Sequence, residues 1–475
     1  MSKERNLDAG QEIFERAQAD LIAGNIDVAE RAFNYLLDRN KKNPDLWFFA
    51  GTCAMSKGYK TIAEKMFKEC INRDARSVSA YNNLGNIYKE ELNEKEAEKC
   101  FRKALEFFPK NASTELQKEI SGIWNNLATL YVNNGTPDKA IEYCDKGLQY
   151  DPDNHKLLWN RSLAHLENSN WSQGWLDYEA GLRGEGKRKK RDYGVPEWDG
   201  TPRKTVVVYG EQGIGDEILF ASIIPDMAKD VNIILDCHPR LAGIFRNTWP
   251  QLSVFGTRKE ENPAWTKFQK VDYKISIGSL GRFYRNKNSD FPAHNGYLRA
   301  DKNIEEAYRN KLIKIGNKPK IGISWKGGYM ATRKDLRSIP LAEWKEVFSL
   351  DADFISLQYT AEAEAEARIA QEHFGIPIHH WKEAIEDYDE TAGLVSKLDL
   401  VISVCTSVIH LAGALNTPCY VLTPSRPAWR YGLKETTMIW YPSVRLYRQA
   451  GENWANVFKN VREDACILFQ KNIAV

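Results

Sequence analysis

The chain has 475 residues, of which 43% are hydrophobic and 27% are charged. These proportions are typical of a globular protein, and the length predicts two or three domains. The net charge of +2, from 66 basic and 64 acidic residues, gives no overall indication of a nucleic-acid partner. No stretch approaches the roughly 20 apolar residues that cross a bilayer. The N-terminus lacks the apolar segment of a secretory signal, so we expect a cytoplasmic protein.

Eight cysteines are spread along the chain without a C-x-x-C pair. Several fall at apolar positions of predicted helices, which indicates small core residues in a reducing compartment. We therefore expect neither disulfides nor a cysteine metal site.

The first third of the chain repeats with a period of 34 residues. One unit, starting at Val78, has the residues expected of a tetratricopeptide repeat at Tyr81, Leu84, Gly85, Tyr88, Ala97, Phe101, Ala104 and Pro109. The same offsets recur in the unit before it, from Trp47, and in the unit after it, from Trp124. Degenerate units lie further out, and the last of them contains Gly174, Tyr178 and Gly181. A nine-residue insertion around residues 111–119 must loop out or lengthen a helix.

We predict a helical solenoid over residues 1–183, because small residues let paired helices approach and aromatic residues fill the gaps. Its groove is typical of proteins that hold a peptide or another protein. The alternative is that the array only scaffolds or dimerises the chain. Residues 184–203 are rich in Gly, Pro and charge and predict a linker. We interpret its basic run, Lys187 to Arg191, as a solvated, flexible connector, with phosphate contact as the alternative.

The second part of the chain starts with a β-branched run at residues 205–209, which predicts a buried parallel strand. It leads into GEQGIGDEILF, where Gly213 and Gly215 permit a tight turn and a close approach of backbone. The spacing is not G-x-G-x-x-G, so we expect no nicotinamide cofactor. Asp216 then starts an apolar-periodic helix. It is either a general base at the mouth of a cleft or an acid that stabilises the helix terminus. A further strand over residues 231–237 indicates a doubly wound sheet.

Three later strands end in polar or cationic residues. The strands are predicted at residues 320–325, 354–357 and 400–404. The first two are followed by candidate phosphate-binding residues: Lys326, Gly327, Gly328, Arg333, Arg337 and Gln358. Because parallel sheets bind ligands at the carboxyl ends of their strands, the three ends together favour a ligand site.

The third of these strands leads into Cys405, Thr406 and Ser407 and then into a helix that carries His410. A helix N-terminus in this position is an anion site or an ordinary strand–helix junction. Nearer the C-terminus we interpret Trp440 as structural, together with its neighbour Tyr441, and leave Arg430 open between packing and phosphate binding.

After the tetratricopeptide repeats the chain contains four characteristic segments. In order, they are GEQGIGDEILF, ISWKGG with LRSIPLAEW, LDLVISVCTSVIHLAGALNTP and WYPSVRLYRQ. In this arrangement the chain resembles bacterial repeat proteins with a glycosyltransferase family 9, heptosyltransferase-like domain. It is more distantly similar to the O-linked N-acetylglucosamine transferases. The resemblance implies an α + α/β architecture. The solenoid is followed by a GT-B fold of two Rossmann-like domains, an acceptor-side domain over residues 204–315 and a donor domain over residues 316–475.

The resemblance also implies an inverting glycosyltransferase that uses a nucleotide-sugar donor without metal or cofactor, while the repeats recruit a protein, peptide or glycan acceptor. Asp216 matches the proposed base, and Lys326 matches the lysine that neutralises the donor diphosphate. Thr406, Ser407 and His410 match the segment that holds the pyrophosphate. No D-x-D-like metal motif stands at the end of a predicted strand, which agrees with metal-free transfer, in which cations and amides stabilise the leaving group.

Cys405 is a departure, because the family has an aspartate at this place and a thiol does not accept hydrogen bonds from a sugar as a carboxylate does. Two alternatives therefore stay open. One is a non-catalytic protein-interaction scaffold with a degenerate GT-B domain. The other is glycosylation of nucleic acid, supported only by the basic run. The donor, the acceptor and the oligomeric state are not determined by the sequence.

Overall fold

A computed structural model describes residues 2–109, 113–184, 186–328, 334–451 and 453–473. The chain forms two compact units, Met1–Arg161 and Ser162–Val475. The first unit is helical, and the second combines helices with two sheets. The boundary between the two units falls inside the helix His155–Glu167, whereas the repeat pattern predicts a solenoid up to residue 183.

The helices of the first unit follow one another in pairs. They are α1 Ser2–Ile22, α2 Ile26–Arg39, α3 Pro44–Ser56, α4 Lys60–Arg73, α5 Val78–Glu90, α6 Glu94–Glu106, α7 Thr114–Asn133, α8 Pro137–Leu148 and α9 His155–Glu167. Small residues allow the pairs to pack closely, since a Cβ on Gly85 would lie 2.6 Å from Phe101 Cε1. The insertion lengthens a helix, because α7 has 20 residues.

Helix α10, Trp171–Tyr178, belongs to the second unit although the repeat period predicts it as part of the solenoid. Trp175 is buried, and its indole N–H donates to the Arg285 carbonyl at 2.6 Å. Its ring lies against Gly281, where a Cβ would come within 2.6 Å. Tertiary packing of these aromatic residues thus separates α10 from the repeats.

The first sheet is parallel, with the strand order β3-β2-β1-β4. Its strands are β1 Thr205–Tyr209, β2 Asn232–Asp236, β3 Ser253–Phe255 and β4 Tyr273–Ser276. The helices along this part of the chain are α11 Ile214–Ala221, α12 Ile224–Met227, α13 Ala242–Thr248 and α14 Gly281–Tyr284. The predicted strands at residues 205–209 and 231–237 are confirmed.

The second sheet has the order β10-β11-β9-β8-β5-β6-β7 and is parallel except for β10. Its strands are β5 Lys320–Ser324, β6 Asp353–Ser356, β7 Ile378–His380, β8 Leu400–Val404, β9 Cys419–Thr423, β10 Thr437–Met438 and β11 Tyr441–Arg448. Its helices are α15 Lys302–Ile315, α16 Lys345–Phe348, α17 Ala363–Phe374, α18 Glu383–Glu386, α19 Tyr388–Val395, α20 Ser407–Ala414 and α21 Ala455–Ile473. Ile304 of α15 packs on Gly393 of α19, so α15 lies against a helix of this half.

Two arginines of the predicted linker are held by the protein. Arg188 is fully buried, and its guanidinium donates to Glu211, Ser279 and the Tyr178 carbonyl at 2.8–3.0 Å. Arg191 is ion-paired with Asp236 at 3.1 Å. Protein partners hold these two arginines, whereas Lys187, Lys189 and Lys190 of the same run are exposed.

All eight cysteines are free thiols, and seven of them are buried. Among the described residues, no helix is both long enough and apolar enough to cross a membrane.

Candidate functional site

The second unit contains a cleft of about 630 Å³ between segments 213–216, 405–408 and 426–428. Its lining residues follow the carboxyl ends of strands from both sheets, namely β1, β2 and β3 of the first and β5, β6, β8 and β9 of the second. Ligands of open α/β sheets bind at this edge. The cleft is therefore the candidate functional site.

Two helices begin at the cleft, α11 after the N-cap residue Gly213 and α20 after the N-cap residue Thr406. Gly213 has no side chain that could cap its helix, and the Thr406 side chain makes no capping hydrogen bond. The helices approach closely at Gly215, where a Cβ would lie 2.9 Å from His410 Cδ2. Their backbone N–H groups and dipoles together favour an anion in the cleft.

Arginines give the cleft its positive charge. Those that line it are Arg240, Arg258, Arg337, Arg426 and Arg430. Asp216 is the single carboxylate among the described lining residues. Burial lowers the pKa of His238 to about 4 and holds the pKa of His410 well below its usual range. Both histidines are therefore neutral at pH 7, so the positive charge of the cleft comes from its arginines.

Three of these arginines have partners that fix their positions. Arg337 donates to the Cys405 carbonyl at 2.6 Å, directly before the N-terminus of α20. Arg258 is ion-paired with Glu217, and Arg430 is ion-paired with Asp216.

Most of the predicted site residues line the cleft. They are Gly213, Gly215, Asp216, Gly328, Arg337, Cys405, Thr406, Ser407 and His410. Gly327 is buried beside Arg337 and does not line it. Arg333 lies outside the described residues.

Two predicted phosphate-binding residues point elsewhere. Lys326 is absent from the cleft lining, because its ammonium group is ion-paired with Glu366 of α17. Gln358 is fully buried, and its side-chain oxygen accepts the backbone N–H groups of Trp325 and Lys326 at 2.9 Å each. Gln358 thus joins two strand ends and is not available to a ligand. Among the described residues that follow β5 and β6, Arg337 is the cation that lines the cleft.

Cys405 borders the cleft as a neutral thiol. Burial raises its pKa to about 11, and its sulfur lies 3.9 Å from the Leu422 carbonyl oxygen. Trp440 and Tyr441 are buried, which confirms their structural interpretation. The sequence reasoning missed Arg240 and Arg258, although both follow strands of the first sheet and could have been found by inspecting those strand ends. It also missed Arg426, which lies in the connection after β9.

No group of three or more His, Cys, Asp or Glu side chains in the described part of the chain is arranged to hold a metal ion.

Glu217 makes the stability of the second unit depend on pH. Its carboxylate is fully buried, ion-paired with Arg258, and accepts the His238 backbone N–H at 2.8 Å. Burial outweighs the arginine and raises the pKa of Glu217 from 4.5 to about 8. The folded state therefore binds the proton of Glu217 more tightly than the unfolded state does. The resulting stabilisation of the folded state is full below about pH 4.5 and is lost as the pH rises through about 8.

We therefore expect the Glu217→Gln variant, whose side chain stays neutral, to gain stability relative to the parent protein as the pH rises from about 5 to about 8. The expected change is about 1–3 kcal/mol, and urea unfolding at the two pH values measures it. Glu197→Gln, at an exposed position, serves as the control. A stability difference between Glu217→Gln and the parent that is the same at both pH values would contradict this account.

Comparison with known proteins shows tetratricopeptide repeats at residues 14–61, 78–111 and 121–154. These segments lie in the first unit, so the predicted repeats are confirmed. Tetratricopeptide repeats are protein-interaction scaffolds.

Two relatives in sequence span different shares of the chain. Protein FlbA of Caulobacter vibrioides is 27% identical over 483 aligned residues, which cover 90% of this chain and 78% of FlbA. A DnaJ homolog subfamily C member 7 homolog of Schizosaccharomyces pombe is 22% identical over 36% of this chain and 37% of that protein. The similarity to FlbA thus extends over both units, and the name FlbA assigns no chemistry.

Solved structures with related folds include PilF of Pseudomonas aeruginosa, at 14% identity and a TM-score of 0.36, over 47% of this chain and 86% of that one. A thermophilic tetratricopeptide-repeat protein of Thermus thermophilus has 16% identity and a TM-score of 0.30, over 36% of this chain and 90% of that one. With TM-scores this low, the repeat assignment rests on the three matched segments.

Proposed function

We propose that the second unit is a GT-B glycosyltransferase that binds a nucleoside-diphosphate sugar in the cleft and transfers the sugar to an acceptor hydroxyl. The observation that carries the proposal is the convergence of two helix N-termini and five arginines on one cleft. A diphosphate is the ligand group that this charge and these backbone donors match best.

Arg337 and the N-terminus of α20 would hold the diphosphate. Arg337 is fixed by the Cys405 carbonyl at 2.6 Å, so its guanidinium is preorganised beside the first N–H groups of the helix. Fixed donors of this kind stabilise charge that develops on a leaving group. They would do so here without a metal ion.

Asp216 would act as the general base, because it is the single carboxylate among the described lining residues. The acceptor hydroxyl gives its proton to Asp216 while its oxygen forms a bond to the anomeric carbon. The bond from that carbon to the phosphate oxygen breaks, and its electron pair leaves with the nucleoside diphosphate. Attack from the opposite side inverts the anomeric configuration.

The first unit would bring the acceptor. Side-chain amides connect the first helices of successive pairs, with Asn126 donating to Asn82 at 2.9 Å and Asn160 donating to Asn125 at 3.0 Å. An amide both donates and accepts hydrogen bonds, as a peptide backbone does. This row supports an extended segment of a protein as the acceptor or as the recruited partner.

A thermal-shift screen of the full chain against UDP-, GDP-, ADP-, dTDP- and CMP-sugars, with and without EDTA, tests the donor site. We expect one nucleotide class to raise the unfolding temperature equally under both conditions. We expect Arg337→Ala to weaken binding of that donor about 10- to 100-fold, since it removes a charged hydrogen-bond donor.

Arg445→Ala is the matched control, because Arg445 is half exposed, is ion-paired with Asp464 at 2.9 Å and does not line the cleft. No shift with any donor would overturn the proposal and leave the second candidate function, a non-catalytic scaffold. The repeats of the first unit and the neutral Cys405 favour that candidate.

A further inference from the structure

One ion pair connects the two sides of the cleft. Asp216 is the third residue of α11, which follows β1, and Arg430 lies in the short 3₁₀ helix Trp429–Tyr431, which follows β9. The Arg430 guanidinium donates to Asp216 Oδ1, and both side chains are about one-fifth exposed. The one carboxylate among the described lining residues is thus occupied by an arginine of the opposite side.

Arg430 is only partly satisfied by this pair. Its Nε is buried and has no hydrogen-bond partner among the described residues. An unpaired buried donor is unfavourable, and an anion in the cleft would relieve it. The guanidinium can accommodate a second, more highly charged oxyanion, because its five N–H groups form a fixed fork that suits phosphate oxygens.

While this pair is intact, the guanidinium occupies Oδ1 of Asp216, so that oxygen is engaged and does not face an acceptor hydroxyl freely. A diphosphate carries more negative charge than one carboxylate and competes for the same arginine. Two anions that compete for one cation have linked affinities, and each weakens the binding of the other.

We propose that Arg430 is a positioning residue that exchanges its anion during the reaction, and this inference rests on the proposed function. Without ligand Arg430 holds Asp216; when the donor binds, Arg430 turns to the diphosphate and releases the carboxylate toward the acceptor. The donor must then bind before the acceptor can be deprotonated, so substrate addition is ordered.

A double-mutant cycle on nucleotide affinity tests the exchange. Calorimetric titration with UDP, GDP, ADP, dTDP and CMP first selects the nucleotide that binds the full chain most tightly. Its Kd is then measured for the parent protein, Asp216→Asn, Arg430→Met and the double variant. We expect Asp216→Asn to tighten binding about tenfold, because it frees Arg430, and Arg430→Met to weaken it by a similar factor. In the Arg430→Met background, Asp216→Asn is expected to change Kd by less than about twofold.

The Arg430→Lys variant keeps the positive charge, so adding Asp216→Asn to it should still tighten nucleotide binding. The same cycle on Arg445 and Asp464, an ion pair outside the cleft, should leave Kd unchanged. If Asp216→Asn tightened nucleotide binding equally with and without Arg430, the effect would be simple charge repulsion between Asp216 and the nucleotide. That result would overturn the proposed exchange but not the proposed nucleotide site. Failure of every nucleotide to bind any of the variants would instead overturn the proposed function.

Discussion

Replacing Asp216 with asparagine is expected to lower kcat for sugar transfer about 10²- to 10⁴-fold, the usual contribution of a general base. The amide has the shape of the carboxylate but cannot take the acceptor proton. Nucleotide binding is expected to persist, because Arg337 and the helix N-termini do not depend on Asp216 for their positions. The rate of nucleotide release from the selected donor, in the presence of acceptor, measures the effect.

Asp199→Asn is the control for this prediction, because Asp199 is an exposed aspartate of the same unit and does not line the cleft. Transfer at an undiminished rate by the Asp216→Asn variant, with donor still bound, would show that Asp216 is not the base.

Replacing Arg188 with methionine is expected to destabilise the second unit by about 3–5 kcal/mol, because it leaves the buried Glu211 carboxylate without its cation. The two groups are 3.0 Å apart, and neither side chain is exposed. For a unit of this size the unfolding temperature should fall by roughly 5–10 °C, which calorimetry detects.

Lys190→Met provides a matched comparison within the same basic run. Lys190 is more than half exposed and lies 3.5 Å from Glu197, so its replacement should change stability by less than about 0.5 kcal/mol. Adding Glu211→Gln to Arg188→Met should restore part of the loss, because no buried charge then lacks a partner. Equal effects of Arg188→Met and Lys190→Met would mean that the segment is a solvated linker after all.

The sequence was sufficient for most of the elements and for the strand ends at which the candidate cleft lies. Apolar runs such as Leu400–Val404 predict buried parallel strands, and the carboxyl ends of such strands meet at one edge. The repeat period likewise predicts the helix pairs of the first unit, because each pair buries the same small and aromatic residues.

Side-chain directions were not predictable, because distant residues decide them. The partners that bury Arg188 include Ser276 and Ser279, 88 and 91 residues further along the chain. Lys326 turns from the cleft toward Glu366, 40 residues away. No local pattern records either partner. Charge runs and strand-end lysines therefore predict where a cation lies along the chain, but not which anion it meets.

A crystal structure of the full chain with the tightest-binding nucleotide tests the central claim most directly. We expect electron density for the diphosphate between the N-termini of α11 and α20, with phosphate oxygens in contact with Arg337 and the backbone of Ser407. Density for the nucleotide at any other place, or an empty cleft at a saturating nucleotide concentration, would contradict the claim.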